Sequence, residues 1–335
     1  MKKIISLAST LIMSIAIFAQ NGLATYYKYV NKAELAICDL NYQKASDYYH
    51  KAFKVHTPFN RDLYYAFKID YKYIDDIDRA IYCYHKMAQR DNVDENDLDS
   101  LKYRNMWQHA KNIRDTTRIV IDYALQDTLI SIRNSDQRIR AERSKGEADD
   151  EVVYQTDTIN LAKIQKIYKQ YENINESTIG YLPGIDIVLR HNIYYGFDPA
   201  ELLLKEVLNG NFHARSFMRL EDDYKTFGFN DEPYQAYYGI NLMHSVIINK
   251  TFFVYPPENI KQVNKNRKAI YQSETWDDYL TKMMFAYYNP DSEFKIYFPS
   301  HLISGEEVDE QSELERKKEI DEKRVKGKYY LAPTY

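Results

Sequence analysis

Cysteine, proline and glycine are scarce in this chain of 335 residues, at two, nine and ten copies. An all-β chain of that length needs many turn residues, so the scarcity favours helix. Cys38 and Cys83 lack Cys-x-x-Cys spacing and do not compose a zinc motif. Basic charge is not in surplus either: 45 Lys and Arg face 49 Asp and Glu, for a net charge of −4. That balance excludes a nucleic-acid binder of the usual basic kind. There is no His-Glu-x-x-His, Gly-rich phosphate loop or nucleophile-elbow serine. The eight histidines (50, 56, 85, 109, 191, 213, 244 and 301) have no ligand spacing. No metal and no cofactor are therefore expected, and only long-range assembly would make a metal site. What the chain does have is 44% hydrophobic and 28% charged residues, enough for a packed core, and length for about two domains.

The N-terminus carries a compartment signal. Lys2 and Lys3 precede a mostly apolar run from Ile4 to Phe18, which ends in Ala19-Gln20. This is the layout of a secretory signal peptide over residues 1–19, with export to the periplasm or beyond as the expectation. No later run is apolar enough over about 20 residues to span a bilayer. In an oxidising compartment a Cys38–Cys83 disulfide is allowed, and two buried free thiols serve equally well as small hydrophobes.

Residues 20–114 read as a helical repeat region. Ala33, Ala45 and Ala52 supply small contacts between helices, and Tyr42, Tyr49 and Phe53 fill the space between them. This looks like one tetratricopeptide unit. A looser second copy runs through Tyr64, Phe67, Tyr71, Ile77, Ala80 and Tyr84, and the stretch from Asp94 to Lys111 is the natural completion of the stack.

Beyond residue 115, Ile121, Leu125, Leu129, Ile132 and Ile139 fall on one narrow stripe at 100° per residue, and Asp136 lies within it. A carboxylate on a core-facing stripe needs a partner, and Arg140 stands one turn away. The pair reads either as a buried structural lock or as the wall of a polar pocket. His191 follows Ile185, Ile187, Val188 and Leu189; meeting Asp136 or Asp222 in space would fit it for acid–base work, and otherwise it is a satisfied core histidine. Asp198-Pro199-Ala200-Glu201 is a helix start, and Asn209-Gly210 is its stop. The runs Phe252–Tyr255 and Phe294–Phe298 read either as the pair of a small β ribbon or as extended segments pressed on the helices.

Taken in order, Asp136-Gln137-x-x-Arg140, Asn160 with Ile164 and Ile167, Gly184 leading to His191, Leu220-Glu221-Asp222, Tyr238-Gly239, and Asn264-x-x-Arg267 before Trp276 and Tyr279 resemble a bacterial domain catalogued as domain of unknown function 6624, over about residues 120–283. The sequence departs from that pattern at Asn192, at Asp223 and at Ile240-Asn241. The resemblance implies no activity. Export, helical repeats and this domain together are similar to proteins of Bacteroidota.

The expected class is thus mainly α: tetratricopeptide-like hairpins over 20–114, a mostly helical domain over 115–303 with at most a small β ribbon, and a charged tail over 304–335. Thirty-three tyrosines suit either a binding surface or a well-filled repeat core. The expected function is a non-catalytic protein or peptide interaction module of the cell envelope. Its rival is a hydrolase-like enzyme or small-ligand binder, with His191, Asp136, Arg140 and Asp222 as catalytic candidates and Gln137, Tyr238 and Arg267 as ligand-binding candidates.

Overall fold

The computed structural model describes residues 22–90, 122–171, 174–180, 184–227, 237–240, 245–248, 251–254, 257, 259–289, 291–294 and 296, and in the tail only 311, 314, 315 and 318. The expected leader, the candidate third repeat helix, Ile121 and the 114/115 boundary lie outside the described residues. The architecture is mainly α, as the composition implies. No described helix is long and apolar enough to cross a membrane.

Helix α1 spans 22–38 and buries Leu23, Tyr26, Tyr27, Val30, Ala33 and Ile37 at helical spacing. Three further helices follow: α2 (Tyr42–Phe53), α3 (Asn60–Lys68) and α4 (Ile77–Ala88). Asn41 and Asp76 cap α2 and α4 by accepting from Lys44 N and Arg79 N. Ala45, Ala52, Ala66 and Ala80 have no exposed surface, which lets these helices approach closely. Helix α3 runs on into a π-turn, Ile69–Tyr73, that buries Ile69 and Asp70.

Helices α5 (Tyr123–Ser144) and α6 (Asp150–Gln170) pack on each other. The buried stripe of α5 is Leu125, Leu129, Ile132, Asp136 and Ile139, the set its periodicity predicts. Helices α7 (Ile185–Ile193) and α8 (Pro199–Leu208) both pack on α9 (Ala214–Phe227). Asp198 caps α8 through Ala200 N, and Pro199 takes its first turn. Gly210 ends it at φ +75°, where a Cβ would stand 2.6 Å from His56 Nε2. Helix α10 (Ile260–Ala269) precedes α11 (Trp276–Tyr288), which opens with a Thr275/Asp278 capping box. Buried apolar side chains from Leu23 to Ile296 form one continuous cluster.

Of the two alternatives for the short aromatic runs, each is seen at one of them. Strand β1 (Ser245–Ile248) pairs antiparallel with β2 (Thr251–Val254), in the register Ser245↔Val254 to Ile248↔Thr251. Phe294 and Ile296, the described residues of the second run, lie outside that ribbon. Neighbouring strands joined by two residues close a far shorter loop than strands 40 residues apart, roughly (3/2)RT ln n cheaper in entropy. Phe294 instead enters the core against Tyr42, Tyr65 and Tyr73, and the Ile296 carbonyl accepts from Arg61 and Arg215.

Candidate functional site

The seven residues singled out from sequence sort into two groups. In the first, Asp136 on α5 is wholly buried and accepts from Arg140 Nη1 at 2.9 Å and Gln137 Nε2 at 2.6 Å. His191 Nδ1 on α7 lies 2.9 and 3.1 Å from its two oxygens. Arg140 reaches across to α6 and donates both terminal nitrogens to Asp157, at 3.0 and 2.8 Å. Burial pushes the Asp136 carboxyl up, but the His191 hydrogen bond and the charges of His191 and Arg140 outweigh it and hold it below its ordinary value. Every group in this set is engaged with another, and three helices are tied together by it. The Asp136–Arg140 pair has the form of a structural lock. Arg140→Ala would leave the buried Asp157 without its bidentate partner; we expect a loss of about 2 kcal/mol in urea unfolding. A loss below about 0.5 kcal/mol would show that the pair locks nothing.

In the second group Asp222 accepts from the backbone N–H of Tyr238 (2.6 Å) and Ile240 (2.5 Å). Arg267, without exposed surface, donates from Nε to the Tyr238 carbonyl at 2.7 Å, and its guanidinium lies over the Tyr279 ring. The Tyr279 hydroxyl donates to the Ile240 carbonyl at 2.7 Å. Asp222, Tyr238 and Arg267 therefore shape the 237–240 segment from both its amide and its carbonyl sides. Two of the sequence departures have structural work as well: Asp223 pairs with Arg190 at 2.6 Å, and Asn192 Nδ2 donates to the Val188 carbonyl.

Sequence reading missed a larger charge network between α1, α3, α9 and α11. Glu34, fully buried, accepts from Arg61 (2.7 Å), Arg215 (2.7 and 3.1 Å) and Lys282 (2.5 Å). Glu274 accepts from Arg215 (2.8 Å), Lys282 (2.6 Å) and Arg267 (3.2 Å). Asp62 adds a third carboxylate, bonded to the Tyr26 hydroxyl and Arg61. Burial pushes Glu34 and Glu274 up, yet Arg215 and Lys282, with Arg61 at Glu34 and Arg267 at Glu274, drive both below the ordinary range, Glu274 to about 2. The signal was present: Glu34 sits on the α1 stripe between Val30, Ala33 and Ile37.

This network borders a cavity of about 430 Å³, whose apolar wall includes Phe59, Leu129, Ile174, Ile179, Phe212 and Ile240. Its polar wall carries Arg61, Arg215, Arg219, His213, Glu176 and Asp186. Burial pushes both carboxyls up, Glu176 to about 7. His213 Nδ1 accepts from the Arg215 backbone N–H at 3.1 Å. Burial, with Arg61 and Arg215 nearby, holds that imidazole neutral, which leaves its proton on Nε2. Both His213 Nε2 and Arg215 Nε are buried donors with no hydrogen-bond partner. Neither His191 nor Asp136 lines this cavity.

Cys38 and Cys83 are both free thiols. Compared with protein families, with curated proteins and with solved structures, the chain matches none.

Proposed function

We propose that the protein is a non-catalytic binding module that receives the carboxylate end of a peptide in the cavity between α3, α7 and α9. The observation that carries this reading is the cavity itself, where Arg61, Arg215 and Arg219 stand among apolar side chains in a space of about 430 Å³. A cavity of this size with an apolar wall and convergent cationic groups suits a terminal apolar side chain beside its carboxylate. The signal-peptide layout of residues 1–19 supports a location at the cell envelope, in the periplasm or outside the cell, and helices α1–α4, read as tetratricopeptide-like, would present the rest of the peptide. The resemblance to domain of unknown function 6624 is part of the same proposal.

Peptides ending in Leu, Ile or Phe would be titrated into the mature protein as free acids and as C-terminal amides. The free acids should bind at least about tenfold tighter, the worth of one charge-assisted hydrogen bond. Ser216→Phe, which fills the cavity, should abolish binding, and Arg219→Gln should weaken it. Equal affinity for acid and amide, or undiminished binding by the filled variant, overturns the reading.

A further inference from the structure

The geometry points to a second site, a binding site for a divalent transition-metal ion of the zinc class formed by His50, Asp70 and Cys83. One ligand atom from each lies within 4.8 Å of the other two. The three come from different elements: His50 from the last turn of α2, Asp70 from the π-turn, and Cys83 from the middle of α4. None of them lines the carboxylate-binding cavity, so this inference stands independently of the proposed function.

The donor set is nitrogen, carboxylate oxygen and sulfur, which is the mixture borderline-soft Zn²⁺ and Co²⁺ take, and which Mg²⁺ and Ca²⁺ do not. Around a tetrahedral ion with bonds of about 2.0–2.3 Å, donor atoms stand roughly 3.3–3.7 Å apart. The present His50 Nε2 to Asp70 Oδ2 distance of 2.7 Å is that of a hydrogen bond, and it opens by well under 1 Å to admit the ion. Three protein ligands leave a fourth position, and the His50 side chain, 15% exposed, gives that side access to solvent. Asp70 and Cys83 have no exposed surface.

The surroundings are built to aim the carboxylate. Ser46 Oγ, itself buried, donates to the other oxygen of Asp70 at 2.5 Å, which turns Oδ2 toward His50. Arg79 Nη1 in turn donates to Ser46 Oγ at 2.8 Å and is anchored by Asp47 at 2.7 Å. Such an outer layer of hydrogen bonds is what orients metal-ligating carboxylates and histidines. The π-turn adds to this, because the wide turn is rare and recurs at functional positions. Here it carries the one acidic ligand of the set.

The test uses the full mature chain, free of any histidine tag, dialysed against Co²⁺ and read by absorption. One Co²⁺ should bind per chain, with visible d–d bands of tetrahedral intensity and a thiolate-to-cobalt charge-transfer band in the near ultraviolet. Cys83→Ser should remove the charge-transfer band, while Cys38→Ser retains it. Ser46→Ala should keep the band and weaken affinity by about 10–100-fold, the usual effect of an outer-layer partner. Zn²⁺ should displace the cobalt. Absence of the band in the unaltered chain at excess Co²⁺, or its survival in Cys83→Ser, overturns the site and leaves a hydrogen-bonded His50–Asp70 pair packed beside an inert thiol. Should Cys83→Ser fail to fold by circular dichroism, His50→Gln decides: loss of stoichiometric binding supports the site, and an unchanged band and affinity overturn it.

Discussion

Glu34→Ala is expected to lower the unfolding free energy by about 3–5 kcal/mol, the range for breaking a buried ion pair from one side. Glu34 is reached by Arg61, Arg215 and Lys282; Glu34 and Lys282 have no exposed side-chain surface, and the two arginines are partly buried. Without it, four cations (Arg61, Arg215, Arg267 and Lys282) share two carboxylates, Glu274 and Asp62. The remaining carboxylates then balance only part of the positive charge, and Lys282 and Arg267 have no exposed surface through which water could screen the rest. Because the cost arises from imbalance, Glu34→Ala combined with Lys282→Met should be less damaging than the sum of the two single changes. Residues joined in one network commonly couple by about 0.5–3 kcal/mol. Urea unfolding of the four proteins measures both quantities. A single-variant loss below about 1 kcal/mol, or strict additivity, would mean that water reaches the network and screens it.

Glu221 should contribute strongly to the pH dependence of stability. Its residue is 3% exposed, one carboxyl oxygen has no hydrogen-bond partner, and burial followed by the nearby Asp198 charge pushes it up to about 8. The folded chain therefore holds a proton that the unfolded chain gives up near the ordinary glutamate value of 4.5. With the folded value above the unfolded one, the contribution to stability is complete below pH 4.5 and is lost as pH rises through 8. Between pH 6.5 and 7.5 the slope approaches about 1.4 kcal/mol per pH unit. Glu221→Gln keeps the shape of the neutral acid and cannot ionise. Its advantage over the unaltered protein should grow from nearly nothing at pH 4.5 to about 4 kcal/mol at pH 8. Chemical unfolding at several pH values reads this directly; parallel curves for the two proteins would mean that Glu221 is ionised in the folded state.

Local rules carried the helices well. The α5 stripe, the Asp198–Pro199 start of α8 and its stop at Gly210 depend on residues three or four apart, and each was legible from spacing alone. Asp136 with Arg140 was legible for the same reason, since an i,i+4 pair on a core stripe is a local fact. Asp157 was within reach too, because Val153, Asp157, Asn160, Ile164 and Ile167 repeat the stripe on α6. The strand partner was not: Ser245–Ile248 carries no aromatic side chain and was not singled out, yet it pairs with Thr251–Val254 across a two-residue connection.

What the sequence by itself determined was the mainly helical class, the start and stop of α8, and the apolar stripe of α5. These follow from periodicity and capping, which act within a few residues. Only the tertiary structure decided what the buried charges do. Glu34 and Lys282 stand 248 positions apart, Arg215 and Glu34 stand 181, and His50, Asp70 and Cys83 come from three separate elements. A buried charge declares in sequence only that it needs a partner; which partner it finds depends on how the helices pack.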